Sequence, residues 1–196
     1  MSKLDNANME YEARVMLTET QYRVILEEYT SEFSYEEIIN VNSYFDTPDL
    51  YLTNHHTVLR TREINNDKYE LTLKIQKENG CLEINHILTL EEKKLLFDKG
   101  EIKSEAILDE LKNYPIDLKD IKLITTLKTE RIEIEFEDFL FVLDKNYYRG
   151  RIDYNLEVES ITEKLAEKRL KEIIAPFGVT YKKDYISKSK RAIYNL

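Results

Sequence analysis

The sequence contains very little cysteine, glycine or proline. Its 196 residues include one Cys, four Gly and three Pro. A single cysteine, Cys81, cannot form an internal disulfide, which excludes a small secreted scaffold held together by disulfides. The sparse Gly and Pro, with no linker, repeat or low-complexity block, indicate no internal domain boundary. We therefore predict a polar leader over residues 1–8 and a single domain over residues 9–196.

Long hydrophobic runs and an excess of positive charge are also missing. The sequence has no apolar run of about 18 residues and no signal-peptide core, so we predict a cytoplasmic protein that does not associate with membranes. The formal net charge of -9 argues against a nucleic-acid partner, because nucleic acids select basic surfaces. An anionic substrate would then need a bound metal ion or a local group of basic side chains.

The sequence is rich in charged residues that alternate with apolar ones. Charged residues make up 34% of the chain, above the roughly 25% of an average domain. Alternation with a period of two is typical of antiparallel strands that have one apolar face. It occurs over residues 10–16, 58–64, 69–75, 131–137, 141–145 and 156–159. Helical segments beginning at capping residues Thr18, Thr89, Ser104 and Thr162 lie between these strands, so the predicted class is α+β.

Two pairs of acidic residues have the spacing of metal ligands. Glu10 and Glu12 lie two residues apart on a predicted strand, so both side chains point the same way, within reach of one hard cation such as Mg²⁺ or Mn²⁺. Glu157 and Glu159 repeat this arrangement. A single pair is more often a solvated strand face. A barrel, however, would bring both pairs together around one or two metal ions.

Basic side chains occupy the same charged strand faces as these acids. They are Arg14, Arg60, Arg62, Lys74 and Arg131. An arginine fork matches two phosphate oxygens at once, and lysine acts as a point charge. A linear triphosphate carries several negative charges and needs such a set of cations. The combination of acids and cations therefore predicts a metal-dependent site for a triphosphate.

The same residues form motifs that resemble those of the CYTH, or triphosphate tunnel metalloenzyme, superfamily. Residues 10–14 resemble its E-x-E-x-K signature, with Arg14 in place of the lysine. Residues 44–49 and 59–62 resemble Y-[YF]-D-T-P-D and L-R-x-R, the most specific of the motifs. Further matches are L-T-x-K at 71–74, the arginine at 131, L-D at 143–144, the acidic strand at 156–159 and the K-S-K/R element at 187–191.

This resemblance implies a fold and a set of site residues. The fold would be an eight-stranded antiparallel β-barrel tunnel with a charged lumen and with helices packed outside. Glu83 or Glu157 would orient the attacking water. The implied ligands of Mg²⁺ or Mn²⁺ are Glu10, Glu12, Asp144, Glu157 and Glu159. The implied contacts of the phosphate chain are Arg14, Arg60, Arg62, Lys74, Arg131, Lys188 and Lys190.

The resemblance leaves three functions open. The first is hydrolysis of inorganic triphosphate or of a small organic triphosphate such as thiamine triphosphate. The alternatives are a class IV-type adenylyl cyclase acting on ATP and a non-catalytic module that binds polyphosphate or nucleotide. Many members carry a second acid where this chain has Asn85, which puts a second metal site in doubt. The sequence is also compatible with a homodimer.

Overall fold

The computed structural model describes residues 6–78, 80–183 and 186–196, with side chains from Tyr11 onward. Eight strands and six α-helices lie in these ranges, so the α+β class and the eight antiparallel strands are confirmed. The strands are β1 Asn6–Leu17, β2 Glu36–Asp46, β3 Thr57–Ile64, β4 Lys68–Lys77, β5 Gly80–Leu88, β6 Lys122–Glu135, β7 Phe139–Tyr148 and β8 Arg151–Ser160. The helices are α1 Glu19–Glu32, α2 Tyr51–Asn54, α3 Leu90–Lys99, α4 Glu105–Leu111, α5 Glu163–Ile174 and α6 Lys188–Tyr194.

Local sequence signals determine where the four predicted helices begin. Thr18 caps α1 in a reciprocal box with Gln21, and Thr89 caps α3 in the same way with Glu92. Ser104 and Thr162 accept hydrogen bonds from the first turns of α4 and α5. The four capped starts are confirmed. Sequence analysis missed α2 and α6, which have 4 and 7 residues.

The chain divides into two compact units. The first contains residues 41–127 and 188–196 and the start of β1. Its strands lie in the order β5-β4-β3-β2, with Leu59 opposite Leu73 and Leu73 opposite Ile84. These three leucine and isoleucine side chains belong to a buried core shared with Leu96 of α3 and with α4. Arg60 and Arg62 of β3, Lys74 of β4 and Glu83 of β5 therefore lie on the opposite side of the sheet from the helices, whereas Glu63 of β3 pairs with Lys93 of α3 on the helix side.

The second unit contains residues 10–40 and 128–187. Its strands lie in the order β6-β7-β8-β1, and the inter-strand pairs are antiparallel. Phe141 of β7 is fully buried and its ring stacks on Tyr29 of α1 with 4.4 Å between centroids. Leu170 of α5 belongs to the same core. The helices again cover the apolar side of the sheet, and alternation directs Arg131, Asp144 and Glu157 to the other side.

The predicted division into a leader over residues 1–8 and a domain over residues 9–196 stays a prediction. β1 begins at Asn6, so residues 6–8 of the predicted polar leader are strand, whereas residues 1–5 lie outside the described part of the chain. Within the described ranges, no helix is both long and apolar enough to cross a membrane.

Candidate functional site

Three cations surround one carboxylate on the charged side of the first unit's sheet. Strand register places Lys74 opposite Glu83, and alternation places Arg60 and Arg62 on the same side. The Nζ of Lys74 lies 2.7 Å from Oε1 of Glu83, and Nη2 of Arg60 lies 3.8 Å from the same oxygen. We refer to Arg60, Arg62, Lys74 and Glu83 as the basic face. Its excess of positive charge suits a polyanion.

Glu83 stays ionised despite its burial. Desolvation by burial would raise its pKa, but Arg60, then Lys74 and Arg62, more than offset this and lower the pKa to about 2. A carboxylate with so low a pKa is a weak general base near neutral pH. Its contacts instead suit a side chain that holds Lys74 and Arg60 in place. The predicted role of Glu83 in orienting water stays a prediction, and its pKa argues against proton abstraction.

We expect the ionised Glu83 to make stability depend on pH under acidic conditions. Folding lowers its pKa from 4.5 to about 2, so its stabilising effect is complete above 4.5 and is lost as pH falls toward 2. Urea unfolding of wild type and Glu83→Gln across this pH range measures the effect. As pH decreases, the free energy of unfolding should fall more steeply in wild type than in Glu83→Gln. The exposed-site control Glu27→Gln should follow wild type. Parallel curves for wild type and Glu83→Gln would contradict the expectation.

Two amide side chains complete the charged side of this sheet. Nε of Arg62 donates to Oδ1 of Asn42 at 3.1 Å, which fixes the direction of the guanidinium fork. Asn85 lies on the same side as Glu83, as alternation predicted, and its Oδ1 accepts a 2.7 Å hydrogen bond from the hydroxyl of Thr72. A neutral amide therefore stands where the motif resemblance implied a second acid.

The C-terminal lysines lie on a helix. Lys188 and Lys190 are half-buried in α6, whose Tyr194 hydroxyl donates to Oδ1 of Asn54 at 3.0 Å. Residues two apart on a helix do not share a face. The helix thus favours a role for one of the two lysines rather than both, and their contact with phosphate stays a prediction.

Acids predominate on the charged side of the second unit's sheet. Strand register places Glu12 opposite Glu159 and Arg14 opposite Glu157. Nη1 of Arg14 lies 3.2 Å from Oε1 of Glu157 and 3.8 Å from Oε1 of Glu12. We give the name acidic face to a set of charged side chains on this side of the sheet, namely Glu12, Arg14, Arg131, Glu133, Asp144, Glu157 and Glu159. Its excess of carboxylates suits a bound cation.

Arg131 is buried among three of these acids. Its Nε and Nη2 donate to the two carboxylate oxygens of Asp144 at 2.8 and 3.0 Å. Its Nη1 donates to Glu133 at 3.1 Å, and its Nη2 lies 3.5 Å from Glu157. Desolvation would lower the pKa of Arg131, but Asp144 and then Glu157 and Glu159 raise it well above its ordinary value. Arg131 therefore remains charged.

The predicted metal ligands fall into two groups by their contacts. Asp144 and Glu157 already accept from arginines, so metal binding would compete with those pairs. Glu12, whose Oε1 lies 3.8 Å from Nη1 of Arg14, and Glu159 face each other directly, an arrangement of like charges whose repulsion a bound cation would relieve. The side chain of Glu10 lies outside the described residues. Assignment of all five as ligands stays a prediction, and the Glu12–Glu159 pair fits it best.

A divalent cation is compatible with this pair. Among the described side chains, no group of three His, Cys, Asp or Glu residues is arranged to hold a metal ion. Mg²⁺ is, however, commonly held by one or two carboxylates while phosphate oxygens and water supply the other ligands. Glu12 is also accessible, with a third of its side chain exposed. The donor set thus suits a metal ion that arrives with a phosphate substrate.

Sequence analysis missed two groups of polar residues that support these faces. Asp46, within the D-T-P-D motif, is fully buried and accepts from the backbone of Leu52 and Thr53 at the start of α2. Asn146 and Asn155 form a buried chain of hydrogen bonds that ends at Asp144. Both asparagines continue the period-two alternation of Asp144 and Glu157, which is the signal that could have revealed them.

Comparison with known proteins agrees with the motifs. The CYTH domain family matches residues 8–188. A Bacillus subtilis (strain 168) protein named "Putative triphosphatase YjbK" is 30% identical over 174 residues, which cover 87% of each chain. A Bacillus halodurans structure described as a "putative adenylate cyclase" has a TM-score of 0.83 and 28% identity, covering 94% of this chain and 97% of that one.

A second solved structure shows the same fold at lower identity. The Hippeastrum protein HpAC1, an adenylyl cyclase candidate described as having a dominant triphosphatase activity, has a TM-score of 0.80 and 18% identity. The similarity covers 95% of this chain and 96% of that one. The family match spans nearly all of the charged strand residues described above, from β1 to the first residue of α6. The chain belongs to the CYTH domain family.

Proposed function

We propose that this protein hydrolyses a linear triphosphate with the help of a divalent metal ion, Mg²⁺ or Mn²⁺. The observation that carries the proposal is the basic face, where Arg60, Arg62 and Lys74 lie on one side of a sheet around a single buried carboxylate, Glu83. Glu70 lies opposite Arg62 on the same side, so three cations share this side with two carboxylates and one positive charge remains for a polyanion. The substrates we propose are inorganic triphosphate or a small organic triphosphate such as thiamine triphosphate.

The residues of the acidic face would hold the metal ion. Glu12 and Glu159 supply the ligands, with Glu10 of the E-x-E motif as a further candidate. When bound, the metal ion neutralises charge on the phosphate oxygens and on the leaving group. Arg14 and Arg131 are the arginines of this face that would orient the phosphate chain and stabilise the charge that develops in the transition state.

The fold relatives supply a second candidate function. One solved structure similar to this chain is described as a "putative adenylate cyclase", and a second as a "putative adenylyl cyclase" with a dominant triphosphatase activity. Cyclisation of ATP releases pyrophosphate, whereas hydrolysis of inorganic triphosphate releases phosphate together with pyrophosphate. Measuring phosphate, pyrophosphate and cyclic nucleotide from triphosphate, thiamine triphosphate and ATP, each with Mg²⁺ or Mn²⁺, tests both functions. We expect metal-dependent phosphate release and no cyclic nucleotide. Binding without turnover of any substrate would contradict the proposal and favour a non-catalytic module.

We expect Arg60→Ala and Arg62→Ala each to weaken triphosphate binding by about 1.5–3 kcal/mol, the usual worth of a charge-assisted hydrogen bond. Diphosphate has fewer oxygens to lose, so its affinity should fall less. Calorimetric titration with both anions gives the two values. Arg23→Ala, which removes an exposed arginine paired with Glu19, is the matched control and should leave both affinities unchanged. If the two anions instead lose the same amount of affinity, and modest salt abolishes that loss, the arginines act only through a diffuse electrostatic field at the surface.

A further inference from the structure

A line of buried hydrogen bonds runs across β6, β7 and β8 of the second unit and ends at Arg131. The hydroxyl of Thr129 donates to Oδ1 of Asn146 at 2.8 Å. Nδ2 of Asn146 donates to Oδ1 of Asn155 at 2.8 Å, and Nδ2 of Asn155 donates to Oδ2 of Asp144 at 3.3 Å. These three donors follow one direction toward Asp144, whose two oxygens receive the fork of Arg131. Nδ2 of Asn146 also donates to Oδ1 of Asp153 at 2.9 Å, which forms a side branch of the line.

This line is set by strand register and is excluded from solvent. Thr129 pairs with Asn146 and Arg131 with Asp144 across β6 and β7, and Asp144 pairs with Asn155 across β7 and β8. Asp144, Asn146 and Asn155 have no exposed surface, and Thr129 has 2%. Buried amides need every donor and acceptor satisfied, so such a chain has one favourable arrangement.

The arrangement determines which edge of Arg131 is presented. A guanidinium has two bidentate edges, one formed by Nε and Nη2 and the other by Nη1 and Nη2. Asp144 occupies the first edge, so the second points away from Asp144, toward Glu133 and Glu157. A phosphate that approached along the acidic face would meet this second edge by displacing Glu133 from Nη1 of Arg131. Because the guanidinium of Arg131 is paired with Asp144, rotation of the Asp144 carboxylate would change the direction of both guanidinium edges.

We propose that Asn155 and Asn146 are positioning residues, which hold Asp144 so that Arg131 presents its Nη1–Nη2 edge to the phosphate chain. The kinetic part of this inference rests on the proposed triphosphatase function. Asparagine suits the task because its amide accepts from one neighbour and donates to the next without adding charge. Asp144 thus stays the carboxylate that accepts the Nε–Nη2 edge of Arg131.

A nuclear magnetic resonance experiment tests the positioning without any need for activity. The Nε–H signal of Arg131 in a ¹⁵N-labelled protein is assigned by its loss in Arg131→Lys. In Asn155→Leu, which keeps the shape of the side chain and removes both polar atoms, we expect hydrogen exchange of this signal to accelerate by about tenfold or more. Tyr148→Phe, which removes the 2.7 Å bond to Asp153 on a side branch of the line, should leave exchange unchanged.

Two outcomes of the exchange experiment overturn the inference. One is an unchanged Arg131 signal in Asn155→Leu; the other is an equal acceleration in Tyr148→Phe, which would indicate a general loosening. If Asn155→Leu does not fold, Thr129→Val at the far end of the line replaces it. Thr129→Val is then expected to accelerate exchange of the Arg131 signal by less than tenfold. If exchange in Thr129→Val is the same as in wild type, the inference is overturned.

Kinetics test the consequence for turnover. We expect Asn155→Leu to lower kcat/KM for triphosphate by roughly tenfold, and to have much less effect in an Arg131→Lys background, where no fork remains to be oriented. Equal effects in the two backgrounds would overturn the positioning role. Absence of turnover in wild type with either metal would instead refute the proposed function, while the exchange experiment would still decide the positioning.

Discussion

Glu12→Gln is expected to lower metal-dependent triphosphate turnover by about a hundredfold or more while leaving the fold intact. Glu12 lies opposite Glu159, with a third of its side chain exposed. It therefore contributes ligand charge rather than packing. Because two like charges face each other in the absence of metal, neutralising one should change the free energy of unfolding by less than about 0.5 kcal/mol, with a small gain from relieved repulsion.

Three measurements together decide the role of Glu12. Activity is titrated with Mg²⁺ and with Mn²⁺, and Tm is measured with and without metal. Wild type should gain Tm on metal addition, since a ligand that binds only the folded state stabilises it. Glu12→Gln should lose most of this gain, whereas Glu27→Gln, at an exposed position of α1, should retain it. A large drop in Tm with metal binding unchanged would show that Glu12 is structural.

Asp46→Ala is expected to destabilise the protein by about 3–5 kcal/mol, the cost of removing one partner from a buried, charge-assisted network. Asp46 accepts from the backbone N–H of Thr47 at 2.8 Å and of Leu52 and Thr53 at 2.9 Å. It also accepts from the hydroxyl of Thr53 at 2.6 Å. These donors at the start of α2 would be left without partners in a place that water does not reach.

A control within the same motif separates this network from the loop as a whole. Asp49 accepts from the hydroxyl of Thr47 at 2.6 Å and is exposed, so Asp49→Ala should cost about 1 kcal/mol or less. Urea unfolding of both variants gives the comparison. Similar losses for Asp46→Ala and Asp49→Ala would mean that the buried network contributes little. The expected difference identifies the D-T-P-D motif as a structural support of the turn that leads into β3 and Arg60.

Much of the fold and of the candidate site could be predicted because both depend on local periodicity. Alternation assigns each strand residue to one of two sides, and this alone predicted that Arg60, Arg62 and Lys74 lie on a charged side. Helix starts at Thr18 and Thr89 could be predicted because a capping box is a pattern of four consecutive residues. The family motifs then indicated which of the charged residues contribute to the predicted site.

Tertiary structure alone decided the partners of those charges. Strand register, which depends on packing of the apolar sides, brought Arg131 opposite Asp144 and Glu12 opposite Glu159. In the sequence, Asp144 and Glu159 cannot be distinguished, because each is an acid on the charged side of a strand with period-two alternation. In the fold one accepts an arginine fork and the other faces a like charge, because partners in a sheet are determined across strands and not along them. For the same reason, the low pKa of Glu83 and the buried line from Thr129 to Asp144 arise only from neighbours distant in sequence.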